Sequence, residues 1–157
     1  MKKQFFDYII ERMKDNNLIY FISAGLGWPR TDELRQFGER YIQTEAAEQT
    51  ACDIAVGLAY QGKIPFIYTI TPFYLRAFET IRTYFDHEKL HVCMVGAGRN
   101  DDYSKHDGFS HEARDIPHIL GTLHNVVQYF PESEDSMKFM VEMIISHKDP
   151  SFISISK

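Results

Sequence analysis

Ile64-Pro65-Phe66-Ile67-Tyr68-Thr69-Ile70 carries no charge, is rich in aromatic and β-branched residues, and lies between Gly62 and Pro72. A short apolar run with such punctuation reads as a strand buried on both faces. Upstream lies a small-residue stretch, TEAAEQTACDIAVGLAYQG (44–62), in which Ala47, Ala51, Ile54, Ala55 and Leu58 share one helical face. Gly62 suits its C-terminal end. Downstream, Pro72 opens a predicted helix through about Phe85, because proline costs no donor in a first turn.

The same alternation extends in both directions. Helix is predicted at 2–15, from Thr31 to Phe37, at 111–121 and at 132–147. Strands are predicted at 18–23, 40–43, 91–95, 125–129 and 152–155. Residues 24–30 and 96–110 read as loops, each containing two or more glycines. Strands alternating with helices imply a three-layer α/β/α domain with a mostly parallel sheet, spanning 1–157 as one unit. Ligands of such folds bind beyond the carboxyl ends of the strands. Segments 24–30, 70–76 and 96–111, joined by the start of the 44–61 helix, should therefore meet at one edge.

Composition narrows the function. The chain has 17 Lys+Arg against 22 Asp+Glu, a net charge of −5, so it is a poor general nucleic-acid binder. No apolar run is long enough to span a membrane. Two cysteines, Cys52 and Cys93, suit a reducing, cytoplasmic setting, and each falls inside a predicted regular element as a small core residue. Aromatics make up 14%, enough for an aromatic core or for a flat ligand or partner surface.

Isolated motifs exclude more than they assign. Gly96-Ala97-Gly98 follows a strand, but Asp101 stands where a dinucleotide loop needs its third glycine, so a plain turn is the better reading. His106, Asp107, His111, Glu112, Asp115 and His118 form a polar cluster without the spacing of a metal site; a loop that hydrogen-bonds a polar ligand fits better. No GxSxG elbow occurs. Glu48 has two readings. Near a helix start it can simply favour the helix dipole. Beside the apolar stripe it can instead be a partly buried, proton-exchanging carboxyl.

Several stretches, taken in order, carry a resemblance. Phe37-Gly38-Glu39-Arg40-Tyr41-Ile42 followed by Ala46-Ala47-Glu48-Gln49 resembles the "FGERYIDVGIAEQ" signature of transketolases. Gly57-Leu58-Ala59-Tyr60-Gln61-Gly62-Lys63-Ile64-Pro65-Phe66 resembles "GLALEGKIPFV", and Asp107-Gly108-Phe109-Ser110-His111 resembles "DGPTH". Tyr68 to Phe73 and Arg76-Ala77-Phe78-Glu79 continue the match. The chain is thus similar, over nearly its whole length, to the pyrimidine-binding domain of transketolase-like thiamine diphosphate enzymes, and that family's fold is expected. The resemblance implies that Glu48 hydrogen-bonds a ring nitrogen of the cofactor's aminopyrimidine and activates it. Phe73 matches the aromatic that stacks on that ring. Ile70 and Arg76 stand at cofactor-facing positions that are aromatic in some relatives. Asp107 and His111 match the pair that contacts the hydroxyls and carbonyl of a sugar. Ser110 stands for a threonine between them, and Phe109 for a proline. Gly25, and then Trp28-Pro29, depart from the family's "ADLG" loop.

The resemblance also implies a diphosphate and Mg²⁺ site, built in the family on a GDG motif that this sequence does not contain. No metal ligand is therefore assigned to this chain. The expectation is a split enzyme: a separate diphosphate-binding partner subunit holds Mg²⁺, in a hetero-oligomer, with a homodimer possible for the chain alone. The implied activity is ketol transfer between sugar or sugar-phosphate-like substrates. A thiamine diphosphate-dependent synthase or decarboxylase subunit, and a degenerate binding or regulatory module, are the alternatives.

Overall fold

Six strands among the described residues form one sheet: β1 (Ile19–Ser23), β2 (Tyr41–Gln43), β3 (Ile64–Ile70), β4 (Cys93–Ala97), β5 (Val127–Tyr129) and β6 (Ser151–Ile155). Their order is β2-β1-β3-β4-β6-β5, and every neighbouring pair is parallel. The structure, a computed structural model, describes residues 1–25 and 30–157. Strand order reverses between β1 and β3, which opens a crevice beyond their carboxyl ends.

Side chains alternate across the sheet with the period of two that a strand imposes. Phe21, Phe66, Tyr68, Val95 and Ile153 face one layer, and Ile22, Ile67, Met94 and Phe152 the other. Helices α1 (Lys2–Asp15) and α7 (Glu134–His147) cover the first face, with Phe5, Phe6, Ile9, Met13, Met137, Val141 and Ile144 inward. The short helix α2 (Thr31–Arg35) adds Leu34 to that layer. The second face receives α3 (Glu48–Tyr60), residues 71–87 and, beyond α5 (Ser104–Asp107), helix α6 (Ile116–Leu120). The three-layer, parallel architecture is the one the sequence pattern implies, and much of the aromatic excess lies in this core. Phe6 packs against Tyr68 at 4.9 Å and Phe21 at 5.7 Å between ring centroids.

Several boundaries differ from the sequence pattern, each for a local reason. The helix expected from Thr44 begins at Glu48. Thr44 is still held to β1 through its amide and the Ser23 carbonyl, and Glu45 has a left-handed φ of 51° that no helix accommodates. The strand expected over 91–95 runs instead over Cys93–Ala97: Gly96 and Ala97 pair with Ser154 and Ile155. The polar loop starts at Gly98 and contains α5, while the helix expected over 111–121 shrinks to α6. The strand expected from 125 begins at Val127.

The segment after β3 is not a plain α-helix. Thr71–Ala77 is 3₁₀, α4 (Phe78–Thr80) follows, and Ile81–His87 is a π-helix. The 3₁₀ stretch buries Thr71, Tyr74 and Ala77, a spacing of three that matches its three residues per turn. Thr71 Oγ1 donates to the carbonyls of Gly98 (2.7 Å) and Ala97 (3.2 Å), and Tyr74 donates to Ile67 O at 2.6 Å. Gly96 permits this: a Cβ there would lie 2.6 Å from both Thr71 Oγ1 and a Phe152 ring carbon. At Gly98, φ is 86° and a Cβ would meet the Tyr103 ring at 2.5 Å. Gly96 thus serves close packing inside β4, and only Gly98 makes the turn that the sequence pattern assigns to the whole motif.

Gly96→Val should destabilise the fold by about 1–3 kcal/mol through overpacking against Thr71 and Phe152. Urea unfolding compared with Gly57→Val, where no atom lies within 4 Å of the new Cβ, measures it.

Candidate active site

Glu48 is the first residue of α3 and begins its buried stripe, Glu48, Ala51, Cys52, Ala55. The i, i+3, i+4, i+7 spacing turns that face toward the sheet. Small side chains let α3 approach closely, and Glu48 is carried inward with them to 3% exposure. A carboxylate so far from water needs donors. Arg76 supplies them: its Nη1 lies 2.9 Å from Oε1 and 2.9 Å from Oε2. The arginine side chain itself is 51% exposed, so the pair sits at the mouth of the crevice rather than in the core.

Phe73 is the second wall. In a 3₁₀ segment, residues i and i+3 eclipse, so Arg76 lies over Phe73. The Arg76 Cζ is 4.0 Å from the Phe73 ring centroid. The guanidinium therefore touches both a buried carboxylate and an aromatic ring. Polar bonds fasten the two elements to one another: Thr80 Oγ1 donates to Asp53 Oδ1 at 2.9 Å and accepts from Gln49 Nε2 at 3.4 Å.

His111 closes a third side, its ring 5.0 Å from that of Phe73 and tilted by 66°. Ser110 Oγ and His111 Nδ1 share a hydrogen bond of 3.0 Å. The loop bearing them is stapled internally. Asp102 accepts from the amides of Arg99 (2.9 Å) and Lys157 (3.0 Å), Ala113 N donates to Asn100 O (2.8 Å), and Ser104 Oγ donates to Glu112 (3.0 Å). Gly108, at φ 82°, turns the chain from α5 into Phe109–His111. Hydrogen bonding and the charges of Lys105 and Arg114 hold the Asp101 carboxyl below its ordinary range. The tip stays open to solvent: Asp107 and Ser110 are exposed and Phe109 is 86% exposed.

Glu48, Phe73, Arg76 and His111 are thus brought together from positions up to 63 residues apart in sequence. Asp107 and Ser110 share the His111 loop, at its solvent side. Ile70 ends β3, partly buried and in register with Ala97. Segments 70–76 and 96–111 meet as expected, and the start of α3 joins them. Of 24–30, Ala24 N bonds to Tyr68 O at 2.9 Å, whereas the Leu26–Pro29 part of that expectation, Trp28 included, lies outside the described residues. Sequence reasoning missed Thr71, which ties this wall to the glycine loop; its signal was the three-residue spacing of Thr71, Tyr74 and Ala77. The cysteines stay outside the site. Both thiols are buried, burial pushes Cys52 up and Cys93 up to about 12, and neither is poised as a nucleophile. Among the described residues no group of three His, Cys, Asp or Glu converges to hold a metal ion, and no helix is long and apolar enough to cross a membrane.

A buried carboxylate and an aromatic ring, joined through one arginine at the switch point of a parallel sheet, mark the candidate site. Residues 8–157 match the family model of the transketolase pyrimidine-binding domain, and the chain belongs to that family. It is 27% identical over its whole length to a Methanocaldococcus jannaschii protein named "Putative transketolase C-terminal section", of which it covers 50%. It is 25% identical over 92% of its length to the 1-deoxy-D-xylulose-5-phosphate synthase of Brevibacillus brevis, covering 23% of that enzyme. A split-gene transketolase, solved as an inactive β4 tetramer, superposes with a TM-score of 0.84 at 26% identity, over 98% of this chain and 50% of that one. The chain therefore spans half or less of the length of these relatives. The family implies thiamine diphosphate, and the residues present fit its aminopyrimidine half. A planar, hydrogen-bond-donating group already lies on Phe73 and donates to Glu48, in the person of Arg76.

A double-mutant cycle of Glu48→Gln and Arg76→Met should give a coupling of about 1–3 kcal/mol in urea unfolding, the range for a charged hydrogen bond that leaves a buried partner unmet when broken.

Proposed function

We propose that this chain is the pyrimidine-binding subunit of a split, thiamine diphosphate-dependent transketolase-type transferase, with Glu48 as its catalytic carboxyl. One geometry carries the reading. A nearly inaccessible carboxylate and an aromatic ring both contact one planar group, the Arg76 guanidinium. A heterocycle with ring and exocyclic nitrogens satisfies both walls, by stacking on Phe73 and by hydrogen bonding to Glu48.

When bound, thiamine diphosphate supplies an electron sink for breaking and making carbon–carbon bonds next to a carbonyl. Glu48 holds a ring nitrogen and exchanges a proton with it, a task that needs a carboxyl rather than an amide. Phe73 fixes the plane of the ring, and Ile70 borders it at the end of β3. His111, beside Phe73 and steadied by Ser110, is placed to donate a proton to a substrate oxygen. Asp107, on the same loop, accepts from sugar hydroxyls. A separate partner subunit holds the diphosphate and Mg²⁺. The M. jannaschii relative, named as a C-terminal section, and the split-gene transketolase support that division. The assembly is a hetero-oligomer working in the cytoplasm on sugar or sugar-phosphate-like substrates, and the chain alone can pair with itself. The likeness to 1-deoxy-D-xylulose-5-phosphate synthase favours, as a second reading, the joining of a keto-acid fragment to an aldehyde.

The test is reconstitution with a diphosphate-binding partner that copurifies with this chain, assayed with a ketose phosphate and with pyruvate as donors. Glu48→Gln should lower turnover by at least about 10²-fold, the range for lost acid–base catalysis. Asp107→Ala should raise the KM for the sugar. Full activity of Glu48→Gln would remove the catalytic assignment, and turnover with pyruvate alone would select the second reading.

A further inference from the structure

We infer that Arg76 is a built-in plug: its guanidinium, bonded to Glu48 and lying over the Phe73 ring, occupies the aminopyrimidine position and has to swing out before the cofactor enters. The inference rests on the function proposed above.

Three observations lead to it. First, the guanidinium is a flat cation with N–H donors along its edge, and it makes the two contacts required of the aminopyrimidine, to the carboxylate and to the ring face. Any ring that lay on this face of Phe73 and bonded to Glu48 would overlap it. Second, the pair is lopsided: Glu48 is 3% exposed, while the Arg76 side chain is 51% exposed. The carboxylate is fixed at the head of α3, whereas the arginine reaches it from the solvent side and can leave by side-chain rotation alone. Third, the backbone under Arg76 is firmly held. Thr71 anchors the 3₁₀ segment to the end of β4 and Tyr74 anchors it to the middle of β3, and Thr80 fastens the following turn to α3. Opening the slot therefore asks for new χ angles of one residue and no movement of the walls.

The plug has a use in a chain that carries half a site. It meets the buried carboxylate while the slot is empty, and it opposes capture of thiamine by the chain alone. A competing internal group lowers apparent affinity by the fraction of molecules in which the slot is open. If nine in ten or more are closed, removal of the plug tightens binding about tenfold or more.

Free thiamine is the probe, titrated calorimetrically into the full-length chain. Arg76→Met should bind it about tenfold or more tightly than the wild type. Arg76→Lys keeps the positive charge beside Glu48 but lacks a planar face, and should show a smaller gain in the same direction, so the test survives poor folding of the Met variant. In the wild type, thiamine should shift the Arg76 side-chain Nε–H resonance as the guanidinium leaves the carboxylate. Phe73→Ala added to Arg76→Met should abolish the gain. Equal affinity of the wild type and both Arg76 variants, with loss of binding in Phe73→Ala alone, would overturn the plug and leave the proposed cofactor site standing. Absence of thiamine binding in both Arg76 variants, or binding indifferent to Phe73→Ala and Glu48→Gln, would overturn the plug and the site together.

Discussion

A carboxylate held away from water must be met by a donor, and the arrangement at the edge of this sheet follows from that requirement at Glu48. Its burial is a consequence of helix geometry. Glu48 heads the stripe Ala51, Cys52, Ala55, whose small side chains bring α3 close to the sheet. A larger residue at Ala51 or Ala55 would lift the helix and expose the acid. The acid also opens the helix, where exposed amide donors favour negative charge. Depth is thus set by packing, sign by the helix end, and the need for a partner by both.

The partner is delivered by a different periodicity. Had residues 71–77 continued as an α-helix, positions 73 and 76 would be offset around the axis by about 60°. The 3₁₀ form eclipses them and puts Arg76 over Phe73. That form is held by what lies beneath it: Thr71 reaches carbonyls at the end of β4, and Tyr74, three residues on, reaches carbonyls in the middle of β3 and β4. Gly96 is the enabling absence, since a side chain there would strike the Thr71 hydroxyl. One missing methyl group in a strand therefore permits a helix form, which aligns two side chains over a carboxylate on a third element.

Legibility in the sequence followed the range of the forces involved. The parallel sheet was readable because strands buried on both faces are uncharged, largely apolar runs, as Ile64–Ile70 is. Glu48, Phe73 and His111 were singled out through an ordered set of motifs, and the residues themselves left Glu48 between a capping role and a buried one. The local boundaries were less readable. Nothing in Thr44-Glu45-Ala46-Ala47 marks a left-handed residue at 45, since its small and acidic residues suit a helix start. Gly96-Ala97-Gly98 looks like a turn, yet its first two residues complete β4, because pairing with β3 and β6 on both sides outweighs the low strand propensity of glycine. The contact between Glu48 and Arg76 spans 28 positions and depends on the 3₁₀ form, so no pattern along the chain announces it.

The exposure of the site's members bears on how such a site can work. Glu48 is shielded, but Arg76 and Asp107 face solvent, and Phe109 extends its ring outward from the same loop. Charges in contact with bulk water interact weakly, and preorganised donors gain their strength from a surrounding that excludes it. The loop carrying Asp107 and His111 is nonetheless rigidly tied, through Asp102, Asn100 and Ser104, before any cover arrives. A tip that is preorganised yet still wet gains most from a partner that only has to exclude water, because the ordering cost has already been met within the fold. The proposed second subunit would then complete the site by covering groups already in place.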